Sequence, residues 1–153
     1  MRNRKHTIVL KIVACILAVA LIVPISVSAA VPETAMPYAS SYLMCYTAYV
    51  CATGSGKLEI WFDVTGTGTQ EYLGVVTIFL YESTDNVNWY RVDTFSHADY
   101  PQMLLTNAWE VVDYVTYDEA IYGHFYKAYV GIWGGPDPGG DSRYIWTSSE
   151  RAY

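Results

Sequence analysis

The chain has 153 residues, with fifteen acidic against nine basic side chains and a formal net charge of −6 at neutral pH. An acidic balance repels phosphate groups, which sets aside nucleic acid, anionic lipid headgroups and teichoic-type polymers and favours neutral polymers, cations or basic surfaces. No GxSxG, HExxH, Walker A, GxGxxG or CxxC pattern occurs, so no familiar nucleotide, zinc, redox or serine-hydrolase chemistry is legible and no enzyme is expected.

The N-terminus carries the clearest signal. Arg2, Arg4 and Lys5 precede an apolar run from Ile12 to Val27, which Pro24 interrupts, and the small residues Ser28, Ala29 and Ala30 follow. This order predicts a secretory signal peptide over residues 1–30, cleaved after Ala29 or Ala30, and hence a secreted, bacterial protein. The alternative is a membrane anchor that stays uncleaved, because Ile12–Val31 is about long enough to span a bilayer. Ile12-Val13-Ala14-Cys15 looks like a lipobox, but Lys11 breaks the apolar stretch before it and an apolar run follows it. Cleavage removes Arg2, Arg4, Lys5 and Lys11 and no acidic residue. Five basic against fifteen acidic side chains then remain, a net charge of −10.

Val31–Ser40, with two prolines and no alternation, reads as a tether. A single domain is expected over residues 41–150, built from short strands between turn signals. Ser41–Ala52 is the first strand and Thr53-Gly54-Ser55-Gly56 the turn of a hairpin. Lys57–Thr65 alternates, with Leu58, Ile60, Phe62 and Val64 on one face. Gly66-Thr67-Gly68-Thr69 predicts a break before a central strand, Glu71–Glu82. Further strands are expected at Trp89–Ser96, Trp109–Tyr117, His124–Trp133 and Arg143–Ser149, with Met103-Leu104-Leu105 plugging one end of the core. Seven strands without a helix, and turns every eight to twelve residues, point to an all-β antiparallel sandwich, with a barrel as the alternative.

The aromatics carry the candidate site. All fifteen Tyr and all five Trp follow Ala30, more ring surface than one small core readily hides. Trp61 on the polar face of its strand, Trp133 at the lip of a Gly/Pro-rich loop and Trp146 on the closing strand are the candidate ligand-binding residues, as planar surfaces that stack on sugar rings. The structural alternatives are a cross-strand pair for Trp61 and a cap on the core for Trp133 and Trp146. Trp89 and Trp109 are assigned to the core. Cys45 and Cys51 lie about 20 Å apart if their segment is one strand, too far for a disulfide, so both are expected as free thiols on one face. Asp85–Asn88 and Asp137–Asp141 place oxygen donors on turns, where such residues are first of all turn formers. No metal or other cofactor is assigned.

Two segments resemble known folds. Glu82–Trp89 (ESTDNVNW) resembles the S-x-D-x-x-x-W hairpin of fibronectin type III-like and discoidin-like sandwiches. His124–Val130 (HFYKAYV) resembles the penultimate strand of fibronectin type III and immunoglobulin-like domains, which implies a tyrosine corner at Tyr126, with Tyr122 as the alternate. Over the mature chain, Tyr46–Val50, Gly54–Ile60, Val64–Gly68, Ser83–Trp89 and Tyr126–Val130 resemble a family of small secreted proteins of Clostridia-like Gram-positive bacteria. That resemblance implies secretion, and little chemistry. The expectation is a secreted, non-catalytic binding module for a neutral polysaccharide or a surface protein. Its alternative is a structural protein assembling through an edge strand or a free cysteine.

Overall fold

The computed structural model describes residues 40–153. The expected signal peptide, its cleavage site at Ala29 and Ala30, and the tether up to Ala39 lie outside the described residues. The described chain is all-β: β1 (Leu43–Gly54), β2 (Lys57–Ser83), β3 (Tyr90–Ser96), β4 (Leu104–Tyr117), β5 (Phe125–Gly135), β6 (Asp141–Trp146) and β7 (Glu150–Arg151), with one 3-10 turn at Pro101–Met103. All seven strands hydrogen-bond into a single antiparallel sheet that curls into a half-barrel.

The sheet is organised by β2. Two expected strands, Lys57–Thr65 and Glu71–Glu82, are one strand of 27 residues. Gly66–Thr69 does not turn the chain. Instead, four residues of β2 stand opposite a single residue of β4, because Thr65 pairs with Glu110 and Gln70 with Ala108. This bulge keeps its hydrogen bonds, which is why the glycines do not end the strand. The Thr67 N–H donates to the Tyr42 carbonyl, the Thr67 hydroxyl donates to the Ser41 carbonyl, and the Gln70 amide donates to the Gly68 carbonyl. The first half of β2 pairs with β1 and β4, and the second half pairs chiefly with β5 and β3.

Alternation supplies the core. Leu58, Ile60, Phe62 and Val64 of β2 are buried, as are Tyr126, Ala128, Val130 and Ile132 of β5. Their side chains share one apolar cluster with Leu73, Val75, Ile78, Leu80, Val111 and Val115. Burying each contributes roughly 1.5–3 kcal/mol before chain entropy is charged against it. Met103 closes the cluster as expected, whereas Leu105 is exposed. Gly74 is required where β2 meets the 3-10 turn. Its φ is +140°, and a Cβ there would run into the Met103 carbonyl oxygen.

Three further expectations are corrected. Trp109 is not in the core: it is 60% exposed and, as the residue opposite the β2 bulge, has no pairing partner on β2. Trp89 is only half-buried and lies against Lys127 rather than against the apolar cluster. The expected closing strand Arg143–Ser149 ends at Trp146 as β6, with the separate β7 following at Glu150, since the buried Thr147 leaves the ladder and bonds both backbone groups of Ala128.

Tyr126, the residue expected at a tyrosine corner, is buried, and the alternate, Tyr122, is 80% exposed. The Tyr126 hydroxyl accepts from the Ile121 N–H and donates to Glu82, whose other oxygen pairs with His124 Nδ1 at 3.1 Å.

Candidate functional site

The alternation that buries one face of β5 presents Lys127, Tyr129, Gly131 and Trp133 on the other. Strand register then extends this second face sideways. Phe79 of β2, Tyr129 of β5 and Trp146 of β6 form one rung; Thr77, Gly131 and Tyr144 form the next; Tyr81 and Lys127 form the one beyond. The rings touch. Tyr129 lies 4.6 Å from Trp146 and 5.3 Å from Tyr144 between centroids, and Tyr81 lies 5.1 Å from Trp146. Gly131 makes the platform possible, since a Cβ there would sit 2.8 Å from the Tyr144 ring. With no side chain at Gly131, Tyr144 lies down over the strand and stacks on Tyr129 at an interplanar angle of 24°. Trp146 and Tyr144 are each about half exposed, at 51% and 50%.

Cations border the rings. Lys127 Nζ lies 4.2 Å from the Trp89 ring centre and 4.6 Å from that of Trp146. The Arg91 guanidinium lies over Phe79 and that of Arg151 over Phe125. Each contact is a cation–π attraction that holds a charge at a defined place. No acidic residue stands at the paired positions of this face, from Arg91, Thr94 and Ser96 of β3, through Thr77, Phe79 and Tyr81, to Ser142, Tyr144 and Trp146.

The three candidate tryptophans are not one site. Trp146 is central to the platform. Trp133 is on the same face of β5, four residues and roughly 13 Å beyond Tyr129. It walls a cleft of about 270 Å³ shared with Tyr72, Val76, His97, Leu104 and Asp137. Gly140 passes directly over its ring, where a Cβ would approach to 2.7 Å. Trp61 stands apart, on the outer face of the β1-β2-β4 region. It is flanked by Tyr49 at 6.3 Å and Tyr114 at 4.6 Å, and its indole N–H donates to Glu59 at 3.0 Å. With both neighbours and its one donor engaged, Trp61 acts as the middle of a cross-strand aromatic ladder. That face is acidic, with Glu59, Asp63 and Glu110 on its rungs.

Platform residues that sequence reasoning missed are Tyr81, Lys127, Tyr129 and Tyr144. The signal was the odd-numbered parity of β5, opposite the run Tyr126, Ala128, Val130, Ile132. The pairing of that parity with Tyr81, Tyr144 and Trp146 depends on register between strands distant in sequence.

The oxygen-bearing turns fold on themselves. The Asp85 carboxylate accepts from the Asn88 and Val87 N–H groups, the Asn88 side chain and the Ser83 hydroxyl. The backbone donors of Asn88 and Val87 hold it well below the usual carboxylate range. Asp141 accepts from the Ser40 hydroxyl and the Ser41 N–H, and the Ser40 hydroxyl is the main cause of its lowered pKa. Among the described residues, no three His, Cys, Asp or Glu side chains are grouped to hold a metal ion. Cys45 is exposed and Cys51 half-buried, both unbridged on the continuous strand β1.

No protein-family model matches the chain, and no curated protein or solved structure is similar to it.

Proposed function

We propose that this chain is a secreted, non-catalytic binding module that takes up a polysaccharide on the outer face of β2, β5 and β6. One observation carries this reading: Trp146 is half exposed yet held by Tyr81, Tyr129 and Lys127 on a ladder anchored to the core strand β5. A planar ring already fixed in place loses little entropy when a sugar face stacks on it. The curled sheet is read as an immunoglobulin-like β-sandwich in which β2 serves both layers. The Tyr126 hydroxyl bonded to the backbone five residues upstream supports that reading. Secretion rests on the N-terminal pattern.

The test is retention of the purified protein by a panel of immobilised glycans, with W146A and W61A alongside. The expected result is a bound glycan from which W146A is released with about tenfold weaker affinity, whereas W61A is retained. Equal retention of W146A and the unmodified protein, or no retention by any glycan, would remove the reading.

A second reading is assembly through β4. This fourteen-residue strand leaves Leu105, Trp109, Val112 and Tyr114 exposed, which is the profile of an edge that pairs with another chain. It predicts an oligomer whose mass in solution falls on dilution and in W109K. A monomer at every concentration would exclude it.

A further inference from the structure

The aromatic face carries most of the cations of this domain, and that placement names a ligand class. Of the five basic residues after Ala30, three lie on the aromatic face: Arg91, Lys127 and Arg151. None of the three has a carboxylate within salt-bridge distance among the described residues, where the single ion pair is His124 with Glu82. The rungs around Tyr129 carry no acid, and Asp137 stands on this face at the Trp133 cleft, roughly 13 Å along β5. At physiological salt a charge is felt over roughly 8 Å, so a ligand on the rings meets these three cations rather than the net charge of the chain.

We infer that the ligand of this face is an anionic polysaccharide whose sugar rings each bear a carboxylate, of the uronic-acid kind, with Lys127 as the anion-contacting residue. This rests on the polysaccharide reading above and deepens it. The rings ask for a stacked pyranose face, which excludes polyol-phosphate chains that have none. Lys127 Nζ lies over the Trp146 ring, 4.6 Å from its centre, so a sugar docked against the exposed part of Trp146 meets the ammonium within the roughly 8 Å over which a charge is felt. An ammonium is a point charge with three donors and does not require the two-pronged geometry of a guanidinium site. The sign of the far field is unfavourable for a polyanion, and that turns into orientation: such a chain is tolerated on this face and repelled by the acidic one bearing Glu59, Asp63 and Glu110.

The experiment uses one polymer backbone with and without its charge: immobilised polygalacturonate and its fully methyl-esterified form. The expected result is retention by polygalacturonate about fivefold stronger than by the ester, the preference disappearing in K127Q and at high salt. R91Q, which leaves the packing of Lys127 on Trp89 and Trp146 untouched, is expected to reduce the preference in part. W146A is expected to lose both polymers. If both forms retain the protein equally and K127Q and R91Q change nothing while W146A releases it, the anionic inference is wrong and the polysaccharide reading stands. If neither polymer nor any neutral glycan retains it, both are wrong.

Discussion

The Tyr126 hydroxyl donates to Glu82 Oε2 at 2.6 Å, joining the first residues of the buried face of β5 to the end of β2. The same oxygen accepts the Ile121 N–H at 2.8 Å, so one buried phenol ties the β4–β5 connection, β5 and β2 together. Removing the hydroxyl in Y126F leaves an amide and a carboxylate oxygen without this partner. The expected loss is about 1–3 kcal/mol of unfolding free energy, measured by urea denaturation.

The same phenol sets an alkaline limit. Burial first, and the hydrogen bond to Glu82 second, push the Tyr126 pKa well above the usual tyrosine range. The folded state therefore keeps this proton where the unfolded state loses it. Its contribution is fully present below about pH 10 and declines as pH rises from there towards the folded pKa. Denaturation midpoints measured between about pH 9 and 11 are expected to fall more steeply in the unmodified protein than in Y126F. Parallel slopes would show that Tyr126 does not contribute to the limit.

Gly74 and Gly131 separate folding from binding. G74A places a Cβ at φ +140° and against the Met103 carbonyl, so a loss of about 2–4 kcal/mol is expected. G131A displaces the Tyr144 ring, a flexible end rather than backbone, and is expected to cost about 1–3 kcal/mol. Its distinguishing readout is the near-ultraviolet circular dichroism of the stacked rings, which should change in G131A under conditions where far-ultraviolet signals match the unmodified protein.

Iodide quenching of tryptophan fluorescence checks the placement of the rings. Trp109 and Trp146 are the most open, at 60% and 51%. The double variant W109F/W146F is expected to remove most of the quenchable emission, leaving Trp61, Trp89 and Trp133 shielded. A quenchable fraction that survives both substitutions would mean that Trp61, Trp89 or Trp133 stands open.

The cysteines give a simple count. Cys45 and Cys51 stand on one uninterrupted strand, about 20 Å apart by strand rise. Alkylation of the unreduced, denatured monomer is expected to add one adduct per thiol at both positions. In the native state Cys45 should react before the half-buried Cys51.

Much of the fold was legible because alternation is local. Leu58, Ile60, Phe62 and Val64 announce a half-buried strand, and Thr53–Gly56 announces the hairpin, since a side chain's face depends only on its parity within a strand. Gly66–Thr69 misled because a glycine pair reads equally as a turn or as a bulge. Hydrogen bonds from Thr67 to the Ser41 and Tyr42 carbonyls, and from the Gln70 side chain to the Gly68 carbonyl, decide between them. Trp109 misled for a related reason: its parity points to the core, and the bulge opposite leaves it without a pairing partner on β2.

The amino-acid sequence by itself determined the class of the domain, the buried parity of β2 and β5, and the abundance of rings beyond what a core can hold. Only the tertiary structure decided that Trp146 joins Tyr81, Tyr129 and Lys127 while Trp61 is closed between Tyr49 and Tyr114. Only it decided that Arg91, Lys127 and Arg151 border the platform rings while Glu59, Asp63 and Glu110 lie beside Trp61. Parity is a property of one strand, whereas adjacency across a sheet is set by register and by which strands pair. Those depend on the packing of the whole chain.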